Sequence, residues 1–202
     1  MIVTVSNEYG SGALAVAERV ARVLGYEYVD RQLPVVVAKR LRVAPETVEA
    51  SEDTEPSLGE RLLNSLELAT PELAESTAEA FDEELIRAVE EAVREYAAHG
   101  DAVIVGRGAG AILGVRPDVV RVFMHAPREW RIARVVEAMR TDRKNAEVEV
   151  DRVDRARTAY IRERYGLTFG DPGNYDLCLD TSRFSASAAG DAIVAAVRAR
   201  GG

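Results

Sequence analysis

The sequence predicts a doubly wound α/β fold, a five-stranded parallel sheet carrying one helical insertion. Three observations predict it. Short apolar runs, read as buried strands, alternate with segments that are apolar at helical spacing. Residues 2–30 read as strand, turn, helix and strand, and such a unit closes in parallel. Residues 34–99 then carry helix signals and no strand run.

The elements follow in order. Ile2–Val5 is a buried strand, and Gly10-Ser11-Gly12 is the turn after it. Ala13–Leu24 places Val16, Val20 and Val23/Leu24 at helical spacing and ends at Gly25. Tyr26–Val29 is the second strand, closed by Asp30-Arg31. In the insertion, Pro34 can open a helix, and Ser57–Glu60 and Ser76–Glu79 match the capping box. The second box precedes the stripe Phe81, Leu85, Val89, Val93 and Tyr96, and Gly100 closes it. Ala102–Val105 is the strongest buried strand and runs into Gly106-Arg107-Gly108. Val119–Ala126 is the fourth strand; Pro127 opens a helix with Ile132, Val135, Val136 and Met139 inward. Asn145–Tyr165 is an arginine-rich helical stretch, Tyr175–Asp180 the fifth strand, and Ala186–Arg200 the last helix.

A chain of 202 residues fits one domain, 1–202. No apolar run approaches the ~18 residues of a membrane span. No basic leader precedes Ile2-Val3-Thr4-Val5, and the one cysteine, Cys178, fits a reducing compartment; a cytoplasmic protein is expected. In its apolar strand Cys178 reads as a small hydrophobe. The two histidines, His99 and His125, lack metal-ligand spacing. A net charge of −8 argues against DNA or RNA as a partner. The charge is uneven: residues 44–91 hold fifteen acidic and two basic residues, residues 121–165 twelve basic and eight acidic. Either the basic stretch recognises a small anion, or both stretches are solvated helical faces.

Ligands of open parallel sheets bind beyond the carboxyl ends of the strands. That rule gathers Asn7–Ala13, Asp30 and Arg31, Gly106-Arg107-Gly108, and Thr181-Ser182-Arg183. Glycines in the first turn let backbone N–H groups approach an anion at the positive end of the helix that follows. Arg107 offers a bidentate fork for a second phosphate, or a structural ion pair. Asp30 either serves the site or caps the next helix. The phosphate-loop pattern G-x-x-x-x-G-K-[ST] is incomplete: Asn7 takes the first glycine position, Gly12 the last, Ala13 the lysine position and Leu14 the hydroxyl position.

Taken in order, five pieces resemble the cytidylate-kinase-like branch of the P-loop nucleoside monophosphate kinases. They are residues 4–12 (TVSNEYGSG), 28–33 (YVDRQL), 103–108 (VIVGRG), 122–127 (VFMHAP) and 170–179 (GDPGNYDLCL). The resemblance implies a P-loop kinase sheet, a monophosphate-binding region within 34–99 and a lid at about 140–165. It implies Mg²⁺ and ATP, and γ-phosphoryl transfer to a nucleotide such as CMP or dCMP. Tyr9, Gly10, Ser11, Gly12 and Ala13 would then cradle the ATP phosphates. Gly106 and Arg107 would grip the acceptor phosphate, Asp30 and Arg31 would edge the acceptor site, and Arg152, Arg155 and Arg157 would neutralise the transferring group. This branch usually carries Arg at the Asn7 position, commonly Gly-Arg at Ala13-Leu14, and Asp at Gly108. Those departures support an alternative, a nucleotide-binding or regulatory protein without catalysis. A third possibility is that the acidic insertion is a protein-interaction surface, for example of a homodimer.

Overall fold

The computed structural model describes residues 1–30, 32–42 and 71–201. Five strands, β1 (Ile2–Asn7), β2 (Glu27–Val29), β3 (Ala102–Val105), β4 (Val119–His125) and β5 (Leu177–Asp180), form one sheet in the order β2-β3-β1-β4-β5. Every pairing is parallel. Seven helices accompany them among the described residues: α1 (Ala13–Leu24), α2 (Gln32–Leu41), α3 (Pro71–His99), α4 (Ala109–Leu113), α5 (Arg128–Met139), α6 (Arg143–Tyr165) and α7 (Ala186–Gly201).

Side-chain alternation sorts the sheet into two faces. Val3, Val5, Val103, Val105, Val122, Met124 and Leu179 pack with α1 and α7. Ile2, Ala102, Ile104 and Val119 pack with α2, α3 and α4. The stripe expected on α3 is buried through Leu85, Val89 and Val93. A third, smaller core joins α5 and α6 through Ile132, Val135, Ala146 and Val150, with Tyr9 from the first turn packed against it.

Three local readings are corrected. The box Ser76–Glu79 does not start a helix: α3 already begins at Pro71, where a proline loses no helical bond. Met139 is 54% exposed, since the α5–α6 core closes at Val135. Cys178 is exposed, on the face of the edge strand away from α7. The box Ser57–Glu60 lies outside the described residues. The segment Gly170–Asp176 now has a physical role. Asp171 accepts from the Gly173 N–H at 2.9 Å, the Asn174 amide donates to the Thr168 carbonyl at 2.9 Å, and Tyr175 stacks on Phe123 with centroids 4.9 Å apart. Asp176 meets Arg121 at 3.2 Å and Arg200 at 3.0 Å. This segment delivers β5 to the sheet edge.

Candidate functional site

The carboxyl end of β1 turns at Glu8–Gly12 into α1. Gly10 and Gly12 both lie at φ +78°, where a Cβ is strained, and Gly12 caps α1 with no side-chain hydrogen bond. The first N–H groups of α1 are therefore left to a ligand or to water. Ser11 Oγ is buried and makes no hydrogen bond among the described residues. The glycines also permit contact with α5. A Cβ on Gly10 would stand 2.9 Å from the Arg131 carbonyl and from Val135 Cγ2.

Arg131 is the centre of the site's electrostatics. It is 5% exposed and donates to the Tyr9 carbonyl at 2.9 Å, the Ala126 carbonyl at 3.0 Å and Asp154 at 2.6 Å. Its Nε also lies 3.2 Å from Glu8 Oε2. The two carboxylates complete the network through backbone: Glu8 accepts from the Ala126 N–H at 3.1 Å, and Asp154 from the Tyr9 N–H at 2.9 Å. Turn, β4, α5 and α6 are thereby pinned together. Two further guanidinium groups flank the turn. Arg157 donates to the Asn7 carbonyl at 3.0 Å and lies 5.8 Å from the Tyr9 ring centroid. Arg134 sits 4.8 Å from the Trp130 ring centroid, and its NH2 comes within 3.1 Å of the position a Gly12 Cβ would take. No carboxylate pairs with Arg134 among the described residues.

The position where a phosphate-loop lysine would stand is closed. Ala13 is 2% exposed and belongs to the core beneath α1. A lysine there would bury its charge. Positive charge comes instead from α5 and α6.

The end of β3 forms the second part of the site. Gly106, Arg107 and Gly108 are consecutively left-handed, at φ +68°, +57° and +66°. A non-glycine residue held there is strained by about 1–3 kcal/mol, and such strain collects at functional positions. A Cβ on Gly108 would lie 3.2 Å from both Tyr160 and Tyr165, so an Asp in its place would meet the rings. The Tyr160 and Tyr165 hydroxyls are 3.2 Å apart, and Tyr165 donates to Glu90 at 3.3 Å. Burial, above all, raises the Tyr165 phenol, which stays a donor. Burial also pushes the Glu90 carboxyl up, but hydrogen bonds from Arg94 and Arg164 outweigh it and hold Glu90 below its ordinary value. Arg164 also reaches Glu83 at 3.1 Å, tying the end of α6 to α3.

Of the residues singled out from sequence, Tyr9–Ala13 and Arg157 are brought together, and Gly106 and Arg107 close the neighbouring strand end. Arg152 is held by Glu149 on its own helix, with NH2 at 2.7 Å, and Arg155 is exposed. Asp30 ends β2, within 3.4 Å of the Tyr28 hydroxyl. Arg31 lies outside the described residues. Trp130 reads from sequence as helix packing, and Arg131 and Arg134 carry no site signal: the helical pattern of α5 gives their face to solvent, and nothing in the sequence sets it beside the first turn.

The Cytidylate kinase-like family matches this chain over residues 2–183. The chain belongs to that family. A cytidylate kinase of Halobacterium salinarum is 28% identical over 98% of this chain and 90% of its own length. A second, from Methanopyrus kandleri, is 33% identical over 46% of this chain and 52% of its own. Among solved structures, an uncharacterized protein of Eubacterium ventriosum superposes with a TM-score of 0.70 at 20% identity, covering 98% of each chain. Shikimate kinase of Bacteroides thetaiotaomicron gives 0.53 at 12% identity, again covering 98% of each. These superpositions establish the fold, a five-stranded parallel sheet of P-loop kinase type flanked by helices.

Proposed function

We propose that the chain transfers the γ-phosphoryl group of ATP to a nucleoside monophosphate of the CMP or dCMP type. The convergence of Arg131, Arg134 and Arg157 on an uncapped glycine turn carries the reading. Phosphoryl transfer asks a protein chiefly for positioning and for charge opposite the transferring group. On this reading the N–H groups from Gly10 to Ala13 bind the ATP phosphates, and Arg134 supplies the charge a lysine would. Arg107 grips the acceptor phosphate, with Gly106 leaving room for its approach and Asp30 and Arg31 at the acceptor's edge. Arg157 stands at the transferring group, and Arg152 and Arg155 join it on lid closure.

Family membership implies Mg²⁺, but the described residues do not make a site for it. Glu8 and Asp154 are both engaged by Arg131, Leu14 stands at the hydroxyl position, and no group of three His, Cys, Asp or Glu side chains converges.

The second reading is a nucleotide-binding protein without catalysis. Asn7, Ala13 and Leu14 favour it, because neither a lysine for the phosphates nor a hydroxyl for a metal stands at the start of α1. Self-association through the 34–99 insertion and a cytoplasmic location belong with the proposal; sedimentation and fractionation test them. No helix among the described residues is long and apolar enough to cross a membrane.

The deciding experiment incubates the protein with Mg-ATP and a panel of nucleoside monophosphates and follows ADP and diphosphate formation. Turnover with CMP or dCMP supports the kinase. ATP-dependent stabilisation without turnover on any acceptor supports the binding protein. With neither, both fail, since a ligand at 100 times its Kd adds about 2.7 kcal/mol.

A further inference from the structure

A cleft of about 480 Å³ opens on the other side of the β1 turn, between β4, β5, α6 and the Phe169–Pro172 segment. That volume falls in the range of small-molecule sites. Its lining includes Glu8, Phe123, His125, Asp154, Thr158 and Phe169. None of Gly10, Gly12, Arg107, Arg134 or Arg157 lines it. Phe123 and His125 project from alternate positions of β4, on the face opposite the α1–α7 core, so the cleft borders the turn through Glu8 and Asp154 but lies apart from its glycines and from the strained β3 end.

The lining is specific in its chemistry. Three rings line it: Phe123, with one face covered by Tyr175 at 4.9 Å, lies nearly parallel to His125, at 17° with centroids 6.1 Å apart, and meets Phe169 edge-on at 5.3 Å. Neither ring nitrogen of His125 makes a hydrogen bond among the described residues. The rim is rich in acceptors. Glu8 has one oxygen facing the Ala126 N–H and Arg131, which leaves the other to accept. Thr158 donates to the Asp154 carbonyl at 2.7 Å and keeps its lone pairs. Among the described residues no lysine or arginine lines the cleft, and Arg131 behind it is already taken by Glu8 and Asp154.

We infer that this cleft is a second ligand site for a planar, amino-bearing heterocycle without a phosphate group, a nucleoside rather than a nucleotide. The rings stack on its face, and the Glu8 and Thr158 oxygens accept from its amino edge. Its binding is independent of whether the chain transfers phosphate. Because Glu8 is part of the phosphate turn and holds Arg131, an occupant also touches the group that fixes Tyr9.

Cys178 lines the cleft, is exposed, and is the chain's one cysteine, so its alkylation reports occupancy directly. The full chain is treated with iodoacetamide, with and without adenosine or cytidine, and modification is followed by mass spectrometry. Adenosine or cytidine is expected to slow alkylation saturably, by about fivefold at four times its Kd. Ribose 5-phosphate and pyrophosphate should have no effect. Thr158→Met, on an exposed helix position, and Phe169→Leu should each abolish protection, whereas Arg107→Ala should leave it intact. Either of the first two suffices if it melts like the parent protein. The inference is overturned if neither nucleoside protects, if the phosphates protect equally, or if protection survives both cleft variants or vanishes with Arg107→Ala. Failure of kinase turnover would leave the protection result unchanged.

Discussion

Replacing Arg131 by methionine should be the most damaging single change at the site. The guanidinium is 5% exposed and lies between Glu8 and Asp154, whose side chains are 29% and 23% exposed. Methionine keeps much of the volume but removes the bonds to the Tyr9 and Ala126 carbonyls and leaves two carboxylates facing each other. Breaking a buried pair from one side costs about 3–5 kcal/mol. Water reaching the two partly exposed carboxylates relieves part of that, so a loss of about 3 kcal/mol is expected. For a chain of this size it corresponds to a melting temperature lower by roughly 6–12 °C. Urea unfolding measures the free energy directly. Adding Asp154→Asn removes one stranded charge, so the double variant should be more stable than the sum of single losses by about 1–3 kcal/mol. Single losses that simply add, or an Arg131→Met loss below about 1 kcal/mol, would refute the network as the element that fixes the turn.

Four further outcomes follow from the geometry. Arg134→Ala should leave the melting temperature nearly unchanged, since the side chain is exposed, yet weaken ATP binding by about 10- to 100-fold, the worth of a charge-assisted hydrogen bond; calorimetric titration reads it. Ala13→Lys should destabilise the chain by about 3 kcal/mol or more rather than restore a phosphate loop, because the position is buried; chemical denaturation is the check. Gly108→Asp should cost about 1–3 kcal/mol from its left-handed backbone and the Tyr160 and Tyr165 rings. The lowered Glu90 carboxyl contributes stability that is complete above its unfolded value, about 4.3, and is lost as pH falls through its lower folded value. Glu90→Gln should therefore flatten the stability–pH curve in that acid window and leave its slope above pH 6 unchanged.

The fold was legible because valine-rich runs and helical spacing are local signals. Residues 2–5 and 102–105 can be little else than buried parallel strands, and Gly25 stops α1 as its left-handed backbone requires. The Gly10–Gly12 turn was legible for the same reason. The arginines that serve it were not. Arg131 and Arg134 sit on α5 at spacings that also suit a solvated face, and only the parallel crossover from β4 sets α5 over the turn. Cys178 was misread because alternation on an edge strand says which residues share a face but not whether that face is covered. The Ser76 box misleads because its Ser and Glu also fit the interior of a helix, and Pro71 is the better start signal.

The bond from the Tyr9 N–H to Asp154 has a kinetic consequence. One amide proton cannot serve a carboxylate and a phosphate oxygen together, so any anion that takes it must first displace Asp154 from the turn. Association then has a unimolecular step, and the observed rate should rise with ligand concentration and level off rather than climb in proportion. Asp154→Asn would raise that plateau, since an amide oxygen holds the proton more weakly than a carboxylate.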